Sequence, residues 1–382
     1  MDRPLSIYFV AGEASGDNHG AALMESLRLR EPEIRLLGRG GPRMKRYGGE
    51  RFIDWSEEAG VVGLWEVIKH YGYFREEFRK TLNEVAATRP DAVVLIDYPG
   101  FNLRLARALR EKSFGGKVIY YISPQVWAWN RGRIPKMAKW LDLMLCIFPF
   151  EAELYEKSGL RTIFVGHPMI ENLEAKRIDA LRAPHLVGVF PGSRTREVRK
   201  LLPILIEVMR ALHLQRPELH FEIAAASEAL ATAIGHDLEP VASSLGQVEV
   251  VYGQAAQTMQ RSAVGVVASG TATLEAAFFR LPFVLVYKVA AMTYLAGRML
   301  IRVKHLGMPN VLAEREIVPE FIQGKAQPGA IANAMLRLLD DRDRRKQMLA
   351  DFDKVIARLG QGGANEKAAR AILQEVALAA SP

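Results

Sequence analysis

Short, almost unbroken apolar runs alternate with helix-like stretches along this chain, and they do so in two separate series. The first comprises "SIYFVAG" (6–12), "AVVLID" (92–97), "KVIYYIS" (117–123), "LMLCIF" (143–148) and "TIFVGH" (162–167). The second comprises "LVGVF" (186–190), "HFEIAAA" (220–226), "VEVVY" (248–252), "VGVVAS" (264–269) and "PFVLVY" (282–287). A strand with no polar alternation is covered on both faces, the pattern of a parallel sheet wrapped by helices. Helical patterns such as 18–30 and "NLRLARALREK" (102–112) supply the covering layers. The polar stretch "MIENLEAKRIDALRAPH" (169–185) separates the series. The expectation is two doubly wound α/β (Rossmann-like) domains, 1–168 and 169–344, with C-terminal helices from about 345 to 382 packing back onto the first. Ligands of such sheets bind outside the carboxyl ends of the strands, so functional motifs are sought there.

A chain of 382 residues can bury two cores of that size. Its 51 Lys and Arg exceed its 43 Asp and Glu, a net charge of +8. That excess suits anionic partners such as phosphates, nucleic acid or an acidic membrane surface, and it equally suits a generically basic cytosolic protein. The single cysteine, Cys146, excludes an internal disulfide and a multi-cysteine metal site, and its apolar run reads as a buried, inert thiol. No H-E-x-x-H motif, Asp-x-Asp pair or Cys/His cluster offers a metal ligand set. The amino terminus is too short in apolar residues for a secretory signal, and no run approaches the ~18 needed to span a bilayer. The expected location is cytoplasmic.

Three glycine turns follow strands. "FVAGEASGDNHG" (9–20) carries Ser15, Gly16 and Asp17, "FPGSRTREV" (190–198) carries Gly192, Ser193 and Arg194, and "ASGTATLEAAFF" (268–279) carries Gly270, Thr271 and Glu275. Glycines admit close backbone approach, and the amides that open a helix attract anions. None of the turns is G-x-G-x-x-G or a P-loop, which argues against a dinucleotide dehydrogenase and a P-loop ATPase. Arg194 supplies a fixed cation for diphosphate. Glu275, one turn into its helix, either accepts ribose hydroxyls or answers the helix dipole in a capping role. Taken together the second and third turns describe a nucleotide site, to which "MPNVL" adds Asn310 and "PEFIQG" adds Gln323.

Asp97 ends an apolar strand and precedes "YPGFN". It is either a general base with raised proton affinity or a turn aspartate bonded to neighbouring amides. His167 in "VGHP" is either a turn histidine or a phosphate or sugar contact.

The motifs "GEASGD", "DYPGFN", "YYISPQVWAW", "FPFE", "VGHP", "PGSR" and "SGTATLE", in this order between about Gly12 and Gln323, resemble the lipid-A-disaccharide synthase family. The resemblance implies an inverting, metal-independent GT-B glycosyltransferase, with two Rossmann-like domains facing an inter-domain cleft and no cofactor. It implies transfer of 2,3-diacylglucosamine from UDP-2,3-diacylglucosamine to 2,3-diacylglucosamine 1-phosphate (lipid X). The products would be a β-1,6-linked disaccharide 1-phosphate and UDP, made at the inner face of the cytoplasmic membrane. Carried onto this chain, Asp97 is the catalytic base. Gly192, Ser193, Arg194, Gly270, Thr271, Glu275, Asn310 and Gln323 form the UDP site, and Ser15, Gly16, Asp17 and His167 are acceptor or other site contacts.

Acylated substrates stay in a bilayer, and "GVVGLWEVIKHYGYFREEFRK" (60–80) has the composition of an interfacial helix. Val61, Val62, Leu64, Trp65 and Ile68 are its apolar members, followed by Lys69, Arg75, Arg79 and Lys80. The alternative is an amphipathic helix packed on its own sheet. "WNRGRIPKMAKW" (129–140) is either a second basic membrane contact or a solvated face. Competing functions are a peptidoglycan-type lipid glycosyltransferase, a UDP-sugar epimerase, and a non-catalytic lipid or nucleotide binder. Nucleic acid is not expected, because the aromatic and basic residues form no recognisable module.

Overall fold

The computed structural model describes residues 3–56, 71–289 and 304–380 and resolves two compact units. Met1–Pro168 and Leu359–Pro382 form the first, and Met169–Arg358 forms the second. Among the described residues each unit is built on one parallel sheet.

In the first unit the strands are β1 (Ser6–Ala11), β2 (Arg35–Gly40), β3 (Ile53–Asp54), β4 (Ala92–Ile96), β5 (Lys117–Tyr121), β6 (Leu143–Cys146) and β7 (Thr162–Phe164), in the order β3-β2-β1-β4-β5-β6-β7. β1 and β4 are buried along their whole length, in register with Val10 opposite Leu95 and Ala11 opposite Ile96. This is the double covering that their unbroken apolar composition requires. The order runs outward from β1 through β2 to β3, then restarts on the other side of β1 with β4. The crevice between the carboxyl ends of β1 and β4 is therefore the topological switch point, where such sheets bind ligands.

The second unit contains β8 (Ala183–Phe190), β9 (His220–Ala225), β10 (Gln247–Tyr252), β11 (Ser262–Ala268), β12 (Phe283–Tyr287) and β13 (Glu320–Ile322), ordered β10-β9-β8-β11-β12-β13. Its switch point lies between β8 and β11, which pair with Phe190 opposite Val267.

Three strands escape the apolar pattern: β2, β3 and β13. In β2, "RLLGRG", glycine and arginine break the run. Gly38 has φ +126°, and a β-carbon there would fall 2.1 Å from the Phe9 carbonyl oxygen, so only glycine fits this pairing. Arg39 is wholly buried. Its guanidinium meets the Glu77 and Glu84 carboxylates and lies over the Trp55 ring at 5.4 Å. Both glutamates belong to the helix Tyr71–Thr88, which this charged cluster holds against the sheet. Removing both glutamates would leave the buried guanidinium uncompensated, at about 3–5 kcal/mol.

The C-terminal return begins later than the expected position near 345. The helix Arg342–Arg358 stays with the second unit, where Asp351 meets Arg315 at 2.6 Å and Phe352 stacks on Phe283 at 5.6 Å. Past Leu359 the helix Ala364–Ala380 rejoins the first unit. There Glu375 receives Lys117 and Arg161 at 2.9 Å each, and Tyr121 Oη donates to Asn365 at 2.9 Å. Cys146 is buried in β6, and burial pushes its thiol up.

Candidate active site

Asp97 follows β4 at the first switch point. It and Tyr98 have φ of +45° and +50°, two consecutive non-glycine residues in the left-handed region. Each such residue costs of order 1–3 kcal/mol and persists only where its surroundings enforce it. Here the surroundings do so. The Asp97 N–H donates to Tyr121 O at 3.1 Å, and its carbonyl accepts from the Asn102 amide at 2.7 Å and from the Tyr120 hydroxyl. Asn102 is itself fully buried and also donates to Ile96 O at 3.1 Å. The Asp97 carboxyl is half-buried, and its proton affinity is raised, first by burial and then by the charge of Glu13. The Tyr98 amide opposes the shift, so the turn-aspartate contact is present as well.

The turn after β1 supplies the neighbouring groups. Ser15 is exposed in the first turn of the helix Ala14–Arg30, and Gly16 is buried with its would-be β-carbon 3.3 Å from that of Ala11. Asp17 has a different occupation. It is 4% exposed and accepts three backbone N–H groups: Gly41 at 3.0 Å, Arg43 at 3.0 Å and Met44 at 2.9 Å. These open the helix Pro42–Gly48, so the carboxylate caps that helix from another segment. His167 follows β7, is 8% exposed and donates its backbone N–H to Leu359 O at 2.8 Å. Burial, then the proximity of His19, push its imidazole down to about 3, so the ring is neutral and brings no charge to a phosphate.

One buried acid had no role in the motif reading. Glu151 of "FPFE" is 0% exposed and accepts Trp127 Nε1 of "SPQVWAW" at 2.8 Å and the Phe148 N–H at 3.2 Å. Burial pushes its carboxyl up to about 7. The signal was a glutamate three residues after Phe148, the spacing of a capping box.

In the second unit the glycine turns collect at the β8/β11 switch point. Gly192 has φ +106°, and its would-be β-carbon lies 3.7 Å from that of Ala268 at the end of β11. Ser193 and Arg194 are exposed, and Arg194 forms an ion pair with Glu197 at 3.5 Å. The helix Thr195–Gln215 begins directly after them. Gly270 has φ +144° and, with Thr271, is exposed ahead of the short helix Ala272–Phe278. Glu275 is half-buried there, and burial raises its proton affinity while Lys176 opposes the rise. Tyr287 ends β12 near Arg194 and Glu197 and was missed in the sequence. Gln323 sits at the end of β13 with φ +53°, donating to Val289 O at 3.3 Å.

Asn310 is spent on its own chain. It is fully buried, its amide nitrogen donates to Val318 O at 2.7 Å and Glu320 Oε1 at 2.8 Å, and its oxygen accepts the N–H groups of Ile317 and Val318 at 2.7 and 2.8 Å. Both donors and both lone pairs are used, so the side chain shapes the loop and has no polar capacity left for a nucleotide.

The expected membrane residues Val61, Val62, Leu64, Trp65 and Ile68 lie outside the described residues. In 129–140, Trp129 is 38% exposed with Arg133 over its ring at 4.9 Å, Arg131, Lys136 and Lys139 are exposed, and Ile134 and Met137 are buried. Among the described residues no helix is long and apolar enough to cross a membrane, and no three His, Cys, Asp or Glu side chains group as a metal site.

Residues 7–375 match the family model described as lipid-A-disaccharide synthetase. The chain is 40% identical over 378 residues to the lipid-A-disaccharide synthase of Geobacter sulfurreducens, covering 96% of each protein. It is 38% identical over 387 residues to that of Trichlorobacter lovleyi, covering 98% of this chain and 99% of the relative. Among solved structures, the UDP-GlcNAc 2-epimerase from Neisseria meningitidis bound to UDP-GlcNAc aligns with a TM-score of 0.62 at 11% identity, over 97% of this chain and 99% of that one. At that identity the likeness concerns the fold, two parallel-sheet Rossmann-like domains of GT-B type.

Proposed function

From its membership of the lipid-A-disaccharide synthase family, we propose that this glycosyltransferase joins UDP-2,3-diacylglucosamine to 2,3-diacylglucosamine 1-phosphate, with inversion and release of UDP. The acceptor hydroxyl loses its proton to Asp97 as it attacks the anomeric carbon. The observation that carries this role is the placement of Asp97. It stands at a topological switch point, on two consecutive left-handed residues held by hydrogen bonds, and its proton affinity is raised. A base with raised proton affinity takes a proton more readily once it is ionised.

Charge developing on the departing diphosphate is met by Arg194, whose guanidinium is exposed at the start of a long helix, and by that helix's first amides. Glu275 accepts ribose hydroxyls, the Gly192 and Gly270 turns allow close approach, and Gln323 borders the same strand ends. The reaction in this reading needs no metal, because these fixed cationic and dipolar groups carry the charge. The protein works at the inner membrane surface, where its acylated substrates reside, with the 61–68 segment and the Arg131–Lys139 face as contacts. The Arg131–Lys139 face lies on the helical connection from β5 to β6.

The test is Asp97→Asn, assayed by mass spectrometry for disaccharide with both acylated sugars supplied. Turnover should fall by roughly 10²–10⁴ while UDP affinity is kept. The wild-type rate should rise with pH through a midpoint above the ordinary aspartate range, because the base acts only when deprotonated. Unchanged turnover in Asp97→Asn removes this residue from the mechanism.

A further inference from the structure

The backbone that carries Asp97 is held by a side chain to which neither the motifs nor the proposed chemistry assigns a task. Tyr98 is half-buried, and its ring lies flat over Gly12 in the turn after β1. A β-carbon on Gly12 would fall 2.4–2.7 Å from three atoms of that ring, so the contact exists only because residue 12 is glycine. Behind the ring stand Trp55, edge-on at 6.1 Å, and Phe101, tilted at 6.2 Å. Trp55 and Phe101 also pack edge-on at 5.0 Å, with Phe78 of the helix Tyr71–Thr88 against Phe101 at 5.5 Å. Trp55 is anchored in turn by its indole N–H, which donates to Ala11 O at 2.6 Å, one residue before Gly12. An aromatic wedge thus ties the turn after β1 to the turn after β4, across the switch point.

We propose that Tyr98 is a positioning residue for Asp97: its ring, seated on Gly12 and backed by Trp55 and Phe101, enforces the paired left-handed turn that aims the Asp97 carboxyl. The inference rests on the reading of Asp97 as base. A bulky side chain rarely adopts φ near +50° unless packing fixes it, and this packing closes on the two turns that flank the crevice. Among the described residues, the other titratable groups facing this pair are Glu13 from the turn after β1, Tyr120 from β5, and Tyr73 from the helix Tyr71–Thr88, which faces Tyr98.

The experiment measures kcat, its pH profile and UDP affinity for Tyr98→Phe, Tyr98→Ala, Gly12→Ala and the Gly12→Ala/Tyr98→Ala double variant, beside Asp97→Asn. Assays use the two acylated sugars in mixed micelles, and calorimetry uses UDP alone. Tyr98→Ala should lower kcat roughly 10–100-fold, the scale of a displacement of about 1 Å in a reacting group. The acid limb of its profile should move to lower pH as the displaced carboxyl loses burial, with UDP affinity unchanged. Tyr98→Phe, which keeps the ring, should recover most of the lost turnover. Gly12→Ala should be as harmful as Tyr98→Ala alone, yet nearly silent in the Tyr98→Ala background, because the methyl then fills the vacated space.

Should Tyr98→Ala not fold, Tyr98→Leu carries the same expectation, since it keeps bulk without a flat ring. Wild-type kcat and an unmoved acid limb in Tyr98→Ala, or independent effects in the double variant, overturn the positioning role. If that happens while Asp97→Asn is inactive, the inference falls alone. An active Asp97→Asn sinks the reading of the base, and the inference with it.

Discussion

Replacing Asp17 with Asn separates a structural carboxylate from a catalytic one. Oδ1 of Asp17 accepts the Gly41 and Met44 N–H groups and Oδ2 accepts that of Arg43, all at 2.9–3.0 Å, from a residue that is 4% exposed. Asparagine retains Oδ1 and its two bonds, now to a neutral acceptor. It sets an NH₂ group against the Arg43 N–H, so one charge-assisted bond worth about 1.5–3 kcal/mol is lost. The anion at the start of the helix Pro42–Gly48 is lost too, at about 0.3–1 kcal/mol and more where partly buried. The total comes to about 2–5 kcal/mol, a large share of a typical domain stability of about 5–15 kcal/mol. For a unit of this size the melting temperature should drop by roughly 5–15 °C. Activity per folded molecule, measured below the transition, should stay within about three-fold of wild type, because the carboxylate is buried and turned onto three backbone amides of another segment. Gly41→Ala, whose methyl would fall 2.5 Å from Cγ of Asp17, should reproduce the same stability loss. An Asp17→Asn protein that melts like wild type but cannot turn over refutes the capping argument.

Burial pushes Glu151 up to about 7, so the fold binds its proton more tightly than the unfolded chain does. Its contribution to stability is therefore present at low pH and is lost as pH rises from the ordinary glutamate range through 7, on the order of 2–3 kcal/mol between pH 5 and 8. Glu151→Gln should flatten that slope in urea titrations, and an identical slope would contradict it. Activity should persist in excess EDTA, and loss that magnesium restores would reject metal independence. Exchanging Val61, Val62, Leu64 and Ile68 for Ser should release the protein from phospholipid vesicles in flotation without unfolding it. If these side chains are core instead, the exchange removes roughly 6–12 kcal/mol of burial and the protein will not fold.

The two-sheet α/β architecture is legible in the chain because a strand covered on both faces must be apolar, as β4 is throughout and as β1, β11 and the carboxyl-terminal half of β8 are nearly so. Strand β2 is hidden for the complementary reason. Its glycine and arginine are explained by partners remote in sequence, Phe9 in one case and Glu77 and Glu84 in the other. The glycine turns of the candidate site are local events, so sequence locates them at strand ends beside Asp97, Arg194 and Glu275. What a polar side chain does there is settled by who fills its hydrogen bonds, and that is a tertiary matter. Asp17 and Asn310 stand in motifs as suggestive as that of Asp97, yet the fold spends both on backbone amides of loops up to 27 residues away. Tyr98 shows the reverse case: nothing in "DYPGFN" marks its ring, and only the pairing of β1 with β4 brings Gly12 beneath it. Periodicity reports which face of an element is dry, whereas a carboxylate's partners depend on which turns the sheet order brings together.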